Sequence, residues 1–314
     1  MNDTFGRPID YLRLSVTDLC NYRCIYCMPE EGVCKRPHAE ILSIEELAEI
    51  ARAAVQCGIR KIRLTGGEPL VRRGILALCR TLRAIPELRE LTMTTNGSLL
   101  PQMAGELKAA GLDRLNISLD TLDPARFAAV TRTGRLEDVL RGLDAAERAG
   151  FRGTKLNAVL LSAEPADIRP LAELTRTRGI SVRFIELMPM GQSLTLPERC
   201  FVGAEYVLRA LPELIPEGTD GVAALYRLPG AAGTVGLIRP MGCSFCSRCS
   251  RIRVTADGML KPCLHSADEI PLRGLHGEAL RRAIQSGILR KPAQHTLGRT
   301  HGSQARREMN EIGG

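Results

Sequence analysis

Six of the eleven cysteines fall into two tight groups, one near each end of the 314-residue chain. The first group has the spacing Cys-x3-Cys-x2-Cys and the second Cys-x2-Cys-x13-Cys: Cys20, Cys24 and Cys27, then Cys246, Cys249 and Cys263. No charged-then-apolar segment opens the sequence, so we expect no targeting segment, and clustered cysteines then indicate metal ligands rather than disulfides. Thiolates bind metals only while they are reduced, so we expect a reducing, cytoplasmic setting.

Three thiolates close in sequence can bind three irons of a [4Fe–4S] cube. The next cysteine after Cys27 is Cys34, seven residues on, so the fourth iron of the first group is left open for an outside ligand. A structural zinc site is the alternative, but zinc normally takes four nitrogen or sulfur ligands.

Two arginines, Arg251 and Arg253, follow the second cysteine of this group, Cys249, and precede its third, Cys263. On a strand, alternation places both guanidinium groups on one face, which suits phosphate oxygens. Cys243 lies three residues before Cys246. It could therefore act as a fourth ligand, or the group could bind zinc, and the spacing leaves these alternatives open.

The composition narrows the class of partner. The net charge is +8, aromatic residues make up 4% of the chain and tryptophan is absent. Stacking platforms for nucleic-acid bases would be scarce, so a phosphorylated small molecule fits the basic charge better than a nucleic acid. No apolar run reaches membrane-spanning length, and we expect no membrane association.

The elements that must position these residues alternate between strand and helix. A capping box at Ser43 and Glu46 opens one helix, and helical patterns cover Arg72–Ala84 and Leu136–Ala149. The predicted strands are Tyr11–Thr17, Lys61–Thr65, Leu91–Thr95, Leu115–Leu119, Lys155–Leu161 and Ser181–Leu187. Six such units predict an α/β fold with a parallel sheet, whose site lies at the carboxyl ends of the strands.

The C-terminal part of the sequence has a different pattern. Frequent prolines after Pro189 indicate a smaller, irregular region, so we divide the chain into residues 1–190 and 191–314.

The first cysteine group resembles that of the radical S-adenosylmethionine (SAM) superfamily, which also has an aromatic residue before the last cysteine. Two further motifs resemble it: Thr65-Gly-Gly-Glu-Pro69 after the second strand and Asn116-Ile-Ser-Leu-Asp120 on the fourth. The resemblance implies a partial (β/α)6 barrel, followed by a smaller C-terminal α+β region. It also implies a cluster whose open iron binds SAM, with SAM contacts at Tyr26, Gly66, Gly67, Glu68, Ser118 and Met188.

The second group is similar to that of the MoaA family of GTP 3′,8-cyclases, and the similarity runs over essentially the whole chain, from Gly6-Arg7-Pro8 to the Gly-Gly end. It implies a second [4Fe–4S] cluster on Cys246, Cys249 and Cys263, with Cys243 free. The double-glycine end, Gly313 and Gly314, is implied to enter the active site together with Arg251 and Arg253. GTP contacts are implied at Arg13, Arg63, Thr94, Lys155, Arg251 and Arg253.

The implied reaction is the first step of molybdenum-cofactor biosynthesis. A 5′-deoxyadenosyl radical takes a hydrogen from ribose C3′ of GTP, and the sugar radical adds to guanine C8. The implied partners are an electron donor and cyclic pyranopterin monophosphate synthase, which would consume the product, and the resemblance leaves a homodimer open. Two other functions remain: a radical SAM enzyme that modifies a peptide, and a non-catalytic iron–sulfur or zinc regulator.

Residues outside these motifs have simpler interpretations. Cys57, Cys79 and Cys200 are interpreted as buried small apolar residues. Lys261, although close to Cys263, is expected on the surface.

Overall fold

A computed structural model describes residues 1–34, 36–241, 245–295, 297 and 302–313. Within these ranges the strands are β1 Tyr11–Ser15, β2 Lys61–Thr65, β3 Glu90–Thr95, β4 Arg114–Ser118, β5 Lys155–Leu160, β6 Ser181–Glu186, β7 Ile215–Asp220, β8 Ala223–Arg227, β9 Thr234–Ile238, β10 Arg251–Val254, β11 Met259–Lys261 and β12 Ile270–Pro271. The helices are α1 Ile44–Gln56, α2 Ile75–Arg83, α3 Leu100–Ala109, α4 Pro124–Thr131, α5 Leu136–Arg148, α6 Pro165–Thr177, α7 Glu205–Ala210, α8 Gly277–Leu289 and α9 Met309–Ile312.

All the strands belong to one sheet, in the order β12-β11-β10-β1-β2-β3-β4-β5-β6-β9-β8-β7. Strands β1 to β6 are parallel and lie in sequence order, and each connection between them contains an α-helix, as expected for a partial (β/α)6 barrel. The chain after residue 190 extends the sheet at both edges. Strand β9 pairs with β6 and β10 pairs with β1, both in parallel, while antiparallel hairpins complete the two ends. The predicted α/β fold is confirmed.

The element boundaries differ from the predicted ones by a few residues, and local hydrogen bonds explain two of the differences. Strand β1 ends at Ser15 rather than Thr17 because the Thr17 carbonyl accepts from Gly67 N at 2.9 Å, in a turn rather than in the sheet. Helix α2 begins at Ile75 rather than Arg72, because Gly74 precedes it in the left-handed region, with φ +81°. The capping box of α1 is present as predicted, with Ser43 and Glu46 bonding reciprocally.

The core lies between the sheet and its helices. The central strands contribute fully buried leucines and isoleucines, such as Leu12, Leu64 and Ile117, on the face that meets the helices. The opposite face of the same strands is polar and encloses the cavity described next. Cys57 and Cys79 lie in the core as predicted, but Cys200 is only half-buried, in a short 3-10 turn that has no fully buried residue. None of the described helices has both the length and the apolar content that crossing a bilayer requires.

Candidate active site

One cavity of about 550 Å³ brings together residues from nearly the whole chain, from Asp10 to Met309. Strands β10, β1, β2, β3, β4, β5 and β6 all contribute to its wall, so the sheet curves around it. The predicted site residues that line it are Cys20, Cys24, Cys27, Cys246, Cys249, Cys263, Arg13, Tyr26, Arg63, Gly66, Gly67, Thr94, Ser118, Lys155, Met188, Arg251 and Arg253.

The first cysteine group lies in the loop after β1, at the carboxyl end of the sheet. Backbone bonds shape this loop: Cys27 N donates to Cys24 O at 2.9 Å, and Tyr22 N donates to Cys20 Sγ at 3.3 Å. Burial raises the pKa of Cys20 to about 11 and that of Cys27 to about 12, and burial together with the neighbouring Cys27 raises the pKa of Cys24 well above its usual range. The thiols are therefore protonated until a metal displaces the protons.

The three thiols of this loop all line the cavity, beyond the end of β1. A [4Fe–4S] cube takes each thiolate on a different iron, so three cysteines leave the fourth iron open to another ligand. The donor set of this loop fits such a cluster.

The Gly66-Gly67 turn lies directly against the cysteine loop. A Cβ on Gly66 would lie 2.3 Å from Thr17 O, and one on Gly67 would lie 2.4 Å from Leu19 O. Glu68 N also donates to Leu19 O at 2.8 Å. Both glycines line the cavity, but the close neighbours that exclude a side chain are backbone atoms of the chain itself.

Glu68 differs from the other predicted SAM contacts, because it does not line the cavity. Its carboxylate is buried and accepts from Leu70 N at 3.0 Å, Asn96 N at 2.6 Å and Thr95 Oγ1 at 2.8 Å. Burial raises its pKa to about 7 against these hydrogen bonds. Glu68 thus connects the turn after β2 to the turn after β3, and we interpret it as a positioning residue.

Tyr26 is oriented by an acid that the sequence analysis did not select. Its hydroxyl donates to Asp120 Oδ2 at 2.9 Å, and Asp120 Oδ1 accepts from Val159 N at 2.8 Å. Burial raises the pKa of Asp120 to about 6, while these two hydrogen bonds oppose the rise. The signal for this residue was present, because Asp120 closes the Asn116–Asp120 motif immediately after β4.

The second cysteine group is held by two buried cations. Arg7 donates to Cys246 O at 2.8 Å, and Lys291 Nζ donates to Arg251 O at 2.7 Å and to Pro262 O at 3.0 Å. Burial raises the pKa of Cys249, but the charges of Lys291 and Arg251 outweigh it, so that the net pKa is lowered. The two cysteine groups therefore differ in their electrostatic surroundings. Cys243 lies outside the described residues.

A cluster of cations occupies the other end of the cavity, where strands begin rather than end. In the register of β10, β1 and β2, Arg251, Tyr11 and Lys61 form one row across the sheet, while the next inward row consists of Arg253, Arg13 and Arg63. Strand alternation places both rows on the cavity face. The expectation that the whole site lies at the carboxyl ends of the strands is therefore wrong for its basic part.

Burying the guanidinium groups of this cluster costs folding free energy, because their charges are removed from water. Arg13, Arg63 and Arg253 are all buried, and burial lowers the pKa of Arg253 to about 10, helped by the charge of Arg251. Burial and Arg253 likewise hold the pKa of Arg13 well below its usual range. Within the described ranges no carboxylate forms an ion pair with Arg63, Arg251 or Arg253. A buried charge without a counter-ion points to an anionic ligand.

Sequence reasoning missed several members of the cavity's polar wall besides Asp120, among them Tyr11, Lys61 and Arg183. Tyr11 and Lys61 each lie two residues before a predicted GTP contact, Arg13 or Arg63, so strand parity would have placed them inside. Arg183 has no predicted site residue of the same parity on β6. The buried atoms Tyr11 Oη, Thr94 Oγ1, Asn116 Oδ1 and His295 Nε2 face the cavity without a partner among the described residues. Such atoms favour a polar ligand there.

The C-terminal segment reaches the interior. Gly313 is buried, and its carbonyl accepts from Arg253 Nη1 at 2.5 Å. Its φ is +85°, and a Cβ there would lie 2.4 Å from Thr65 Oγ1. Asn310 Nδ2 donates to Asp18 O at 3.1 Å, which ties the segment to the cysteine loop. Gly314 lies outside the described residues.

Lys261 corrects a prediction, because it is fully buried rather than on the surface. Its Nζ donates to Ser266 O at 2.8 Å and pairs with Glu269 at 3.1 Å. Glu269 also pairs with Arg307 at 2.7 Å, and Arg307 pairs with Asp257 at 2.9 Å. This network anchors the C-terminal segment to the β10–β12 end of the sheet, and it explains how a lysine is tolerated in the interior.

Comparison with known proteins agrees with this geometry. Residues 14–175 match the model of the radical SAM superfamily, and residues 180–297 match the model named Molybdenum Cofactor Synthesis C. The GTP 3′,8-cyclase of Peptoclostridium acidaminophilum is 50% identical over 99% of this chain and 98% of its own length. That of Alkaliphilus metalliredigens is 46% identical over the full length of both chains.

Among solved structures, Streptococcus suis SuiB is similar at a TM-score of 0.64 and 15% identity, covering 91% of this chain and 67% of SuiB. SuiB bound to S-adenosylmethionine gives a TM-score of 0.61 at 15% identity, covering 91% of this chain and 70% of SuiB. These likenesses establish the fold. Together with the full-length identities, they show that the chain belongs to the radical SAM superfamily and, within it, to the family of the GTP 3′,8-cyclases.

Proposed function

We propose that this chain converts GTP to 3′,8-cyclo-7,8-dihydro-GTP with SAM and a [4Fe–4S] cluster, in the first step of molybdenum-cofactor biosynthesis. The observation that carries the proposal is the cluster of buried guanidinium groups, at the end of the cavity where strands β10, β1 and β2 begin. A triphosphate brings about four negative charges, and charge-assisted pairs with Arg neutralise it without burying an unpaired ion. The relatives with 46–50% identity carry the name of this reaction.

The cavity divides into two ends with different tasks. Cys20, Cys24 and Cys27 would bind the cluster, which when bound supplies the electron that cleaves the carbon–sulfur bond of SAM. Gly67, Tyr26, Ser118 and Met188 lie near that end and would bind and orient SAM. The chain's part is to hold the two substrates at a fixed separation and to exclude water.

The basic end would hold GTP. Arg13, Arg63 and Lys155 come from the first barrel region, and Arg251 and Arg253 from β10, so the triphosphate would join the two parts of the chain. Thr94 offers a buried hydroxyl without a partner among the described residues. Gly313, and with it Gly314, would complete the site through the bond to Arg253. On this basis we retain the division into residues 1–190, which bind SAM, and 191–314, which complete the GTP site.

We further propose a second [4Fe–4S] cluster on Cys246, Cys249 and Cys263, with Cys243 free. The three thiols line one side of the cavity near Arg251, and the lowered pKa of Cys249 favours its thiolate. Replacing Cys243 by Ser should leave about eight irons per chain, as two cubes require. A loss of about four irons, or zinc in place of iron, would contradict this assignment.

The test of the activity is anaerobic reconstitution, iron counting, and incubation with SAM, a reductant and GTP. We expect 5′-deoxyadenosine and a cyclised GTP product in equal amounts. In the variant with Cys20, Cys24 and Cys27 all replaced by Ala, one cluster should remain and 5′-deoxyadenosine formation should vanish. Survival of SAM cleavage in that variant would contradict the site assignment.

A radical SAM enzyme that modifies a peptide is the second candidate. A solved complex of SuiB with its precursor peptide SuiA shares this fold at 16% identity. The buried cations argue against a peptide, because they require a compact polyanion. If GTP is not consumed and SAM cleavage instead requires an added peptide, this second candidate replaces the first. Complete absence of SAM cleavage would favour the non-catalytic regulator.

The proposed reaction also needs two partners. An external donor must supply the electron, and cyclic pyranopterin monophosphate synthase would take the product onward. The reduced thiols on which the clusters depend lead us to propose a cytoplasmic setting.

A further inference from the structure

The hairpin of β7 and β8 carries an acidic residue to the cavity. Asp220 ends β7, and its Oδ2 pairs with Lys155 Nζ at 2.5 Å and with Arg183 Nη2 at 2.6 Å. Asp220, Gly221 and Val222, at the tip of the hairpin, all line the cavity. One carboxylate oxygen therefore bridges two cations that come from neighbouring strands, β5 and β6.

The two sides of this contact differ in burial. The side chains of Lys155 and Arg183 are 12% and 6% exposed, whereas that of Asp220 is 50% exposed. The cations are fixed in the wall of the barrel, and Arg183 also contacts Ser181. The carboxylate, in contrast, is carried by a strand whose residues are all exposed. Moving Asp220 into water costs little, while leaving Lys155 and Arg183 without an anion costs more.

The bridge has the chemistry of a phosphate contact. A carboxylate oxygen held between an ammonium and a guanidinium takes the place that a phosphate oxygen takes in charge-assisted recognition. Burial raises the pKa of Asp220, but its pairing with Lys155 and Arg183 outweighs burial and holds the pKa well below its ordinary value. Lys155 is one of the proposed GTP contacts, so GTP and Asp220 compete for the same cation.

We propose that Asp220 is an internal substitute for a phosphate, which neutralises Lys155 and Arg183 in the ligand-free protein and is displaced when the triphosphate of GTP binds. The inference rests on the proposed function, since it takes the incoming anion to be that triphosphate. Asp220 thus sets GTP affinity by competition, and it holds the cations in place between turnovers.

The test is the equilibrium binding of GTP to the reconstituted protein without reductant, so that no turnover occurs. Asp220→Asn keeps the size of the side chain and removes its charge. We expect this variant to bind GTP about 3- to 30-fold more tightly than the unchanged protein, because a competing ion pair has been removed. Guanosine, which has no phosphate, should bind equally well to both proteins.

A second measurement uses inorganic triphosphate and thermal unfolding. Asp220→Asn should unfold at a lower temperature when ligand-free, because two buried cations lose their anion, and inorganic triphosphate should raise that temperature more than it does for the unchanged protein. Glu217→Gln is the matched control, because Glu217 lies on the same hairpin and pairs instead with the half-buried Arg227, which does not line the cavity. It should leave both measurements unchanged.

The outcomes separate the two proposals. Equal or weaker GTP binding by Asp220→Asn would overturn the competition and would make Asp220 a positioning residue for Lys155 and Arg183. Failure of the unchanged protein to bind GTP at all would instead refute the proposed function. Tighter binding of guanosine by Asp220→Asn would also overturn the inference, since guanosine does not reach these cations with a phosphate.

Discussion

The buried arginines of the cavity restrict the kind of ligand that it can bind, because burying their charges without an anion costs free energy. Arg13, Arg63 and Arg253 are each less than a tenth exposed, and adjacent strands hold them side by side. Like charges at such spacing destabilise the ligand-free protein, and a cavity that tolerates them gains most from a ligand of high negative charge. Their number favours a triphosphate over a monophosphate.

Replacement of Arg251 or Arg253 by Ala should abolish GTP conversion while both clusters and uncoupled SAM cleavage persist. Loss of one buried charge-assisted contact costs about 2–4 kcal/mol, or about 30- to 1,000-fold in GTP turnover. The measurement is GTP consumption beside 5′-deoxyadenosine formation. Arg282→Ala is the control, because Arg282 is 75% exposed on α8. Near-normal GTP turnover in both variants would contradict the proposal that these arginines bind GTP.

The pH dependence of GTP binding follows from two groups at the basic end. Burial and the charge of Arg183 lower the pKa of Lys155 to about 8, although Asp220 opposes this. Burial raises the pKa of Tyr11, but Arg63, Arg13, Arg251 and Lys61 outweigh it and lower the pKa to about 8. Above pH 8 Lys155 loses its positive charge and Tyr11 becomes an anion. The first change removes an attraction for GTP and the second adds a repulsion, so the affinity for GTP should fall by about tenfold between pH 7.5 and 9.5.

Lys155→Arg combined with Tyr11→Phe should flatten this dependence, because the guanidinium stays charged and phenylalanine does not ionise. Isothermal calorimetry with GTP over that pH range gives the comparison. An equally steep fall in the double variant would assign the dependence to other groups.

At the scale of elements, two features build the cavity. Side chains alternate between the two faces of each strand, and the turns that follow neighbouring strands lie in close contact. Strands β1 and β2 present alternate residues to the cavity and the core, while the turns after them carry the cysteine loop and Gly66-Gly67. The glycines have no room for a side chain, because the backbone of Thr17–Leu19 lies within about 2.4 Å of each Cβ position. The geometry of the first cysteine group therefore depends on the turn after the neighbouring strand.

Gly67→Ala should displace the cysteine loop and lower the iron content of the reconstituted protein toward four per chain, with a parallel loss of SAM cleavage. The cause is the contact with Leu19 O, where backbone cannot move aside. Gly105→Ala is the matched control, because Gly105 lies in α3 with nothing near its Cβ position. That change should keep full iron content, since Ala favours a helix over Gly. Full iron and full SAM cleavage in Gly67→Ala would show that the turn can adapt.

On the scale of the whole molecule, residues near both ends of the chain form hydrogen bonds with the same site. Arg7, near the amino terminus, pairs with Asp3 at 2.6 Å and donates to the carbonyls of Cys246, Pro292 and Ala293 at 2.7–2.8 Å. At the other end, Gly313 contacts Arg253. The resemblance at Gly6-Arg7-Pro8 thus has a structural basis, because the motif fixes the second cysteine loop from more than 200 residues away.

Arg7→Ala should reduce iron by about four per chain, with SAM cleavage retained and GTP conversion lost, because the loop of Cys246 loses its anchor. Iron counting together with 5′-deoxyadenosine formation separates this result from general unfolding, which would remove both clusters. Arg60→Ala is the control, since Arg60 also donates to two carbonyls, of Val55 and Ile59, yet contacts neither cysteine group. Retention of all the iron in Arg7→Ala would assign the anchoring to Lys291 and the sheet alone.

The sequence by itself determined the α/β fold, the six parallel strands, the two cysteine groups and most of the basic residues. These depend on spacing and on strand periodicity, which are local properties of the chain. Only the tertiary structure decided which polar residues share the cavity. Tyr11, Lys61, Arg183 and Asp120 line it, whereas Glu68 and Lys261 are buried outside it. Their positions depend on the register between strands and on ion pairs between segments far apart in sequence, such as Lys261 with Glu269 and Arg307, and Asp220 with Lys155. A charged residue has the same local pattern whether it lies on the surface or in the interior, and the partner that allows its burial comes from another element.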